Sequence, residues 1–239
     1  MGISRRTALV GALAGVISAP AAADVATFRA TKRFLRVNGR HMAYASAGAG
    51  DPVVFVHGNP TSSFLWRNVM PGVSGFGRCI APDLIGMGDS DKLPESGPGV
   101  YTFLQHSRYF AGFMRAVGAR RNVTLVLHDW GGPIGFEWAR GNARRMRAIV
   151  FMETFVVSQN ESNTPEQTMH FFTSFRTPEG EQRVLQENGF VENVLLRQFP
   201  SMSEEEKAEY RRPFLEPGES RRPTLEWPRQ VPINGEPED

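Results

Sequence analysis

The feature that most constrains the fold is a strand-like run that ends on an acid and passes directly into a helix-like run. Residues 123–128 are mostly apolar or β-branched, and Asp129 follows them. Gly131 and Gly132 come next, and residues 133–138 have the pattern of a first helical turn. Small residues at this position let a helix begin close beneath the end of a strand, where a Cβ atom would collide. The pattern predicts a sharp strand–turn–helix that exposes the Asp129 side chain above a sheet.

A carboxylate at such a turn has two interpretations. Asp129 is either an ordinary acid near the start of a helix, where negative charge is favourable, or a nucleophile. A carboxylate is already ionised at neutral pH, so it needs no base to attack a saturated carbon. The ester formed by that attack has an acyl carbon that water can then attack. The neighbouring motifs bear on the choice.

The composition is that of a soluble globular protein, with 41% hydrophobic and 22% charged residues among 239. This length predicts one large domain or a domain with an insertion. The single cysteine, Cys79, excludes an internal disulfide, and its apolar neighbours indicate a buried thiol.

The first 23 residues have the features of an export signal. Arg5 and Arg6 precede an apolar run over residues 8–17, and three alanines at 21–23 offer a small-residue cleavage site. The paired arginines favour a twin-arginine signal and a periplasmic or secreted mature chain, with a Sec signal or an uncleaved anchor as alternatives. The run is too short for a comfortable membrane span. Without residues 1–23 the formal net charge falls from +2 to 0, because two arginines and no acid are lost, and this leaves no basic footprint for nucleic acid.

Apolar runs of strand length alternate with helical patterns through the middle of the chain. Asn38-Gly39 is a strong hairpin signal between two short strand candidates. After Thr102, apolar residues recur at helical spacing and predict a helix with a core-facing stripe. The alternation from residue 53 to 153 predicts a mostly parallel, doubly wound sheet. The strand candidates are residues 34–37, 41–45, 53–56, 79–80, 123–128 and 148–152, and a further helix is predicted over 62–70.

The character of the sequence changes after Glu153. Residues 154–228 lack the strand–helix alternation and predict an inserted helical cap with an aromatic cluster at Phe171, Phe172 and Phe175. Prolines that recur from residue 213 to residue 237 predict a linker leading away from the cap. The cap helices are predicted over 165–175, 179–189, 191–199 and 203–212. The predicted domains are the signal (1–23), the N-terminal part of the core (24–153), the cap (154–228) and the start of a return to the core (229–239).

Three polar stretches follow neighbouring strands of the predicted sheet, at the carboxyl ends where open α/β sheets place their sites. They are residues 57–60 (His-Gly-Asn-Pro), 128–132 (His-Asp-Trp-Gly-Gly) and 152–153 (Met-Glu). Together with residues 62–68 and 82–88 they closely resemble the haloalkane dehalogenases of the α/β-hydrolase fold. The resemblance extends from about Ala30 to Asp239, and the His-Asp-Trp-Gly-Gly motif by itself is shared with epoxide hydrolases.

The resemblance implies a role for each of four residues. Asp129 would be the nucleophile that attacks the halogen-bearing carbon, and Glu153 the acid that orients a histidine base. The indole N–H of Trp130 and the side-chain amide of Asn59 would hold the leaving halide, since both are neutral donors that do not trap the anion. The backbone N–H groups of Asn59 and Trp130 would form the oxyanion hole.

The resemblance also implies the reaction. A small halogenated alkane and water would give an alcohol and a halide ion, with the cap aromatics Phe171, Phe172 and Phe175 lining the pocket. No metal or cofactor is implied. The glycine-rich loop over residues 82–91 lacks the spacing of a dinucleotide fingerprint, and residues 203–206 read as the first turn of a helix and not as a metal site.

The sequence departs from the family pattern in one respect. The family places its catalytic histidine after the cap and a further strand, whereas no histidine follows His170 here. The chain therefore resembles a C-terminally truncated dehalogenase, from an early stop or a partial sequence. We expect at most one turnover, because the ester at Asp129 would lack an activated water. We also expect residues 148–152 to form a bare apolar sheet edge that promotes aggregation.

Two other functions remain open. An epoxide hydrolase would use the same aspartate, but such enzymes usually carry an aromatic residue in place of Asn59 and tyrosines in the cap, where this chain has only Tyr210. A non-catalytic binding protein on the hydrolase scaffold would explain the missing histidine, but not the nucleophile, the halide pair and the acid.

Overall fold

A computed structural model describes residues 24–237, so the predicted export signal lies outside the described residues. The strands are β1 (Arg33–Val37), β2 (Arg40–Ala47), β3 (Pro52–Val56), β4 (Arg78–Pro82), β5 (Val123–His128) and β6 (Met146–Met152). They form one mixed sheet in the order β1-β2-β4-β3-β5-β6. Pairing is antiparallel between β1 and β2 and between β2 and β4, and parallel from β4 through β3 and β5 to β6. The fold is therefore that of the α/β-hydrolases, as predicted.

Helices lie on the sheet and in an insertion after β6. The helices are α1 (Val25–Ala30), α2 (Met70–Val73), α3 (Phe103–Ala116), α4 (Gly131–Gly141), α5 (Glu166–Ser174), α6 (Pro178–Leu185), α7 (Glu204–Arg211) and α8 (Arg222–Arg229). A wide π-type turn covers Phe190–Leu196, and short 3-10 turns cover Ser63–Trp66, Ala143–Arg145, Arg212–Phe214 and Gly218–Arg221. Within residues 24–237 none of these helices combines the length and the apolar character that a membrane crossing needs.

The predicted hairpin and core stripe are both present. Asn38 and Gly39 have φ angles of 49° and 84°, and Val37 pairs with Arg40, which is the geometry of a tight two-residue turn. In α3, Phe110 and Phe113 are fully buried, while Phe103 is half-buried and faces Trp130 with 6.3 Å between the ring centres. The stripe thus belongs to the core along most of its length and borders the site at its first residue.

The edge strand β6 exposes its apolar residues. Ile149, Val150, Phe151 and Met152 are 38–56% exposed, although the neighbouring strand β5 is buried. The ring of Phe151 contacts that of Phe136 on α4 at 5.5 Å. The apolar edge expected for residues 148–152 is thus present, and aggregation through it remains a prediction.

Two helix predictions were wrong. The helix expected over residues 62–70 is a 3-10 turn followed by the short α2, because the carboxylate of Asp83 binds the backbone N–H of Ser63 at 2.8 Å and fixes the chain there. The linker expected after residue 213 contains α8. Pro223 lies in the first turn of α8, where a helix needs no N–H donor, so proline at that position does not prevent the helix. Pro228 lies inside the helix, one residue before its last residue, Arg229.

Candidate active site

The chain turns sharply between β5 and α4, as the sequence predicted. Asp129 follows β5 and has a φ of 52°, and α4 begins at Gly131. A Cβ atom on Gly131 would lie 2.2 Å from the carbonyl oxygen of Val56, and one on Gly132 would lie 1.8 Å from the hydroxyl of Thr154. The two glycines are therefore needed for the helix to start this close to the strand ends.

The carboxylate of Asp129 is held by backbone amides. The N–H of Asn59, from the loop after β3, donates to Oδ1 at 2.6 Å. Burial raises the pKa of Asp129 above its ordinary value, and the backbone N–H groups of Trp130 and Asn59 oppose this shift by favouring the ionised form. Both N–H groups predicted for the oxyanion hole thus act on this one carboxyl group.

A cavity of about 320 Å³ opens beside this carboxylate and brings together the four predicted residues of the core. Asn59, Asp129, Trp130 and Glu153 all line it. The strand register explains the proximity of the two acids: His128 pairs with Met152, so Asp129 and Glu153 are the next residues on adjacent parallel strands. Both acids have a left-handed φ, of 52° and 45°, which turns each chain away at the strand end.

The two predicted halide donors, Asn59 and Trp130, lie on opposite sides of Asp129 in the sequence but line the same cavity. Trp130 is buried, with Phe155 and Trp227 at 4.8 and 4.9 Å between ring centres. The Nδ2 atom of Asn59 donates to the carbonyl oxygen of Thr224 on α8 at 3.0 Å. Because that partner is an acceptor, it fixes the orientation of the amide and leaves the second N–H of Nδ2 for a ligand.

The aromatic cluster of the cap contributes less to the cavity than the sequence predicted. Phe172 lines it, whereas Phe171 and Phe175 do not. Phe171 is 37% exposed, and Phe175 is buried against Phe190 in a small core of the cap. The reason is helical geometry: positions 171 and 175 lie close to one face of the helix, and position 172 is turned by roughly 100° from position 171.

Six other residues line the cavity and were not predicted. They come from the segment after β6, from the cap, from α8 and from the chain after α8, which the tertiary structure alone brings together. Thr154 and Phe155 directly follow Glu153 in the sequence, and this adjacency is the one signal that could have identified them. The six residues are Thr154, Phe155, Gln159, Phe190, Pro228 and Val231.

None of the five histidines, all of which lie within residues 24–237, lines the cavity. Both ring nitrogens of His57 are engaged, Nδ1 with the carbonyl oxygen of Gly58 at 2.8 Å and Nε2 as acceptor from the N–H of Leu84 at 2.9 Å. Burial lowers the pKa of His57 to about 4. His106 is buried and stacked on Trp227. The other three are His128, whose ring meets Trp66 edge-on, and the exposed His41 and His170.

The sheet order and the acid presented between β5 and α4 define the class of this protein as an α/β-hydrolase. A family model described as the alpha/beta hydrolase fold matches residues 51–233. A haloalkane dehalogenase of Sphingobium indicum strain B90A is 51% identical over 212 residues, which cover 87% of this chain and 71% of that protein. A haloalkane dehalogenase of Mycolicibacterium smegmatis is 49% identical over 86% of this chain and 66% of that protein. The chain belongs to the haloalkane dehalogenase family.

Solved structures agree with this assignment. The haloalkane dehalogenase DbeA from Bradyrhizobium elkani is 40% identical, with a TM-score of 0.79 over 87% of this chain and 72% of that one. The haloalkane dehalogenase DatA from Agrobacterium tumefaciens is 36% identical, with a TM-score of 0.76 over 87% and 70% of the two chains.

Proposed function

We propose that Asp129 displaces halide from a small halogenated alkane and forms an alkyl ester on the protein. The carbon–halogen bond breaks as the carboxylate forms the new carbon–oxygen bond, and the halogen leaves with the bonding electron pair. The observation that carries the proposal is the carboxylate of Asp129, held by the backbone N–H of Asn59 in a cavity that Trp130 and Asn59 also line. An acid that merely caps a helix would need no such cavity.

The two carboxylate oxygens would have different roles. Oδ1 accepts the N–H of Asn59, so Oδ2 is the oxygen with freedom to attack carbon. In the ester, Oδ1 becomes the carbonyl oxygen. When a nucleophile later attacks the acyl carbon, negative charge develops on Oδ1, where the backbone N–H groups of Asn59 and Trp130 would already be in place to stabilise it.

The leaving halide would be held by the indole N–H of Trp130 and the side-chain amide of Asn59. Neutral donors lower the energy of the departing anion without the strong attraction that a lysine or arginine would exert on the product. Thr224 supports the role of Asn59, because its carbonyl oxygen sets which end of the amide is the donor.

The second half of the reaction would stop in this chain. The position of Glu153 is suited to orienting a histidine base, but none of the histidines lies in the cavity. Without a base, water attacks an ester slowly at neutral pH. We therefore propose that residues 1–239 alone support a single turnover, after which the alkyl ester persists.

Intact mass spectrometry after exposure to 1-bromobutane tests both steps. We expect one butyl group per chain, located at Asp129, and about one equivalent of bromide released. Asp129→Asn is the matched control and should give neither. Continued bromide release beyond one equivalent would contradict the single turnover, and no adduct at Asp129 would contradict the proposed nucleophile.

An epoxide substrate has less support from the structure. Tyr210, the only tyrosine after Glu153, is buried and packs its ring against Phe64 at 5.4 Å, and it does not line the cavity. The cavity therefore offers no tyrosine hydroxyl to activate an epoxide oxygen. Labelling by styrene oxide in preference to 1-bromobutane would reverse this assignment.

We also propose that residues 1–23 direct the chain to the periplasm. The support is the arginine pair followed by the apolar run and the alanines. Cell fractionation with N-terminal sequencing should find a mature chain that begins at Asp24, and replacement of both Arg5 and Arg6 by lysine should leave it in the cytoplasm. An unprocessed periplasmic chain would contradict cleavage at this point.

A further inference from the structure

Thr154 makes a contact with the nucleophile that the proposed reaction does not use. Its hydroxyl Oγ1 donates to the backbone carbonyl oxygen of Asp129 at 2.6 Å. The two residues are 25 positions apart and come together because β5 and β6 end side by side. The same carbonyl oxygen also accepts the N–H of Gly132 at 2.9 Å, so both of its lone pairs are engaged.

The space for this hydroxyl is created by the sequence at the turn. A Cβ atom on Gly132 would lie 1.8 Å from Oγ1 of Thr154 and 2.9 Å from its methyl carbon. The glycine therefore admits the threonine side chain, and not only the start of α4. Threonine is branched at Cβ and has few χ1 rotamers available, so the hydroxyl is held where the carbonyl needs it.

The carbonyl of Asp129, which Thr154 binds, belongs to the same peptide group as the Trp130 N–H of the proposed oxyanion hole. The C=O of Asp129 and the N–H of Trp130 belong to a single peptide bond, which is planar. Rotation of this plane moves the carbonyl oxygen and the N–H together, in opposite directions. A bond that fixes the carbonyl oxygen therefore also fixes the direction of the Trp130 N–H, which acts on the carboxylate of Asp129.

We propose that Thr154 is a positioning residue, whose hydroxyl holds the Asp129–Trp130 peptide plane and so aims the Trp130 N–H at the oxygen of Asp129 that bears charge. This inference rests on the proposed function of Asp129. The left-handed φ of Asp129 makes such support necessary, because a non-glycine residue in this region is under strain and persists when its surroundings hold it. Thr154 lines the cavity, and its hydroxyl bonds the backbone carbonyl oxygen of Asp129 and not the carboxylate.

Two measurements on the alkylated protein test this role without any catalytic histidine. The first is the pH at which Asp129 becomes half-reactive toward 1-bromobutane. The second is the cleavage of the butyl ester by hydroxylamine. In that reaction the amine nitrogen attacks the acyl carbon, charge develops on Oδ1, butanol leaves, and a hydroxamic acid remains at residue 129.

Thr154→Val keeps the shape of the side chain and removes the donor. We expect hydroxylamine cleavage to slow about tenfold, which is less than the roughly 100-fold loss for complete removal of an oxyanion donor. We expect the pH midpoint of alkylation to rise, because a misdirected N–H stabilises the carboxylate less. Thr154→Ser should restore both values, whereas a loss of packing alone would not be repaired by the smaller serine.

Thr173→Val is the matched control. The hydroxyl of Thr173 donates to the carbonyl oxygen of Met169 at 3.0 Å, so it makes the same kind of bond within α5, away from the turn. It should change neither value. If Thr154→Val fails to fold, Thr154→Ala removes the same donor with less steric demand.

The outcomes separate the two proposals. If the adduct forms in every variant, and the pH midpoint and the cleavage rate are the same in all of them, the role of Thr154 is overturned and Asp129 remains the proposed nucleophile. Absence of an adduct in the unmodified protein would overturn the proposed function itself.

Discussion

Replacing Lys32 by methionine tests how the loop beside the site is anchored. Lys32 is buried, and its Nζ lies 2.7 Å from Asp83 and 2.6 Å from Asp89. Asp83 is buried and also binds the N–H of Ser63, at the start of the 3-10 turn after the Asn59 loop. Asp89 pairs in addition with Arg212 of the cap at 2.6 Å. The buried cation just before β1 thus binds the loop over residues 83–89, and Asp89 joins that loop to the cap through Arg212.

The magnitude follows from what remains after the cation is removed. Breaking a buried ion pair costs about 3–5 kcal/mol, because it leaves an uncompensated charge. Asp83 would keep two backbone donors, the N–H groups of Ser63 and Asp89, both at 2.8 Å. We therefore expect the lower end, about 3 kcal/mol, for Lys32→Met. At about 2–4 °C per kcal/mol for a domain of this size, Tm should fall by about 6–12 °C.

The pH dependence of this effect has a definite sign. Burial would raise the pKa of Asp89, but hydrogen bonds from Arg212 and Lys32 outweigh it and hold this pKa below its ordinary value. A lowered carboxyl pKa stabilises the fold above the unfolded value of about 3.9, and this stabilisation is lost as the pH falls through the folded value. Burial lowers the pKa of Lys32, but Asp83 and Asp89 outweigh this effect and raise it. The stability that Lys32 contributes is therefore lost only at alkaline pH above about 10. The deficit of Lys32→Met should be constant near neutral pH and should shrink below about pH 4.

Urea denaturation followed by circular dichroism measures the free energy of unfolding. Lys207→Met is the control, because Lys207 pairs at 2.7 Å with Glu204, which is 81% exposed, and should cost less than about 0.5 kcal/mol. Adding Asp83→Asn to Lys32→Met should recover part of the loss, since the unpaired charge disappears. The reasoning is wrong if Lys32→Met costs no more than Lys207→Met, or if the second substitution adds a full further loss.

Three other predictions concern the site and the sheet edge. Asn59→Phe should abolish quenching of Trp130 fluorescence by bromide and should slow alkylation by 1-bromobutane about 100-fold, and undiminished alkylation would exclude Asn59 as a halide donor. Asp129→Asn should raise Tm at pH 7. Burial raises the pKa of Asp129, so the folded protein loses stability as the pH rises through that pKa and the carboxyl group ionises, whereas asparagine stays neutral. This gain should vanish in acid, and a gain that is independent of pH would refute the reasoning. The unsubstituted chain should self-associate through β6. Phe151 is 56% exposed, and Phe151→Lys should reduce the light scattering that this association causes. A monodisperse unsubstituted protein would contradict this.

Local pattern was sufficient for the parts of the fold that depend on neighbours in the chain. The hairpin at Asn38-Gly39 is determined by the φ angles that these two residues tolerate, and the alternation of apolar runs and helices is determined by the periods of strand and helix. The pattern failed for α8, where prolines suggested a linker. Pro223 lies in the first turn, and Arg222 and Arg229 of α8 pair with Glu181 of α6, a contact between separate elements that no local rule anticipates.

By itself the sequence predicted that Asn59, Asp129, Trp130 and Glu153 would lie together, because they follow the carboxyl ends of parallel strands and such ends meet at one edge of a sheet. The tertiary structure alone decided how these groups are held. Thr224 orients Asn59, and Thr154 binds the peptide that carries the Trp130 N–H, through contacts between residues far apart in the chain. Such hydrogen bonds form only when atoms of separate elements are placed at the right distance from each other. The spacing of residues along a single sequence does not reveal that placement.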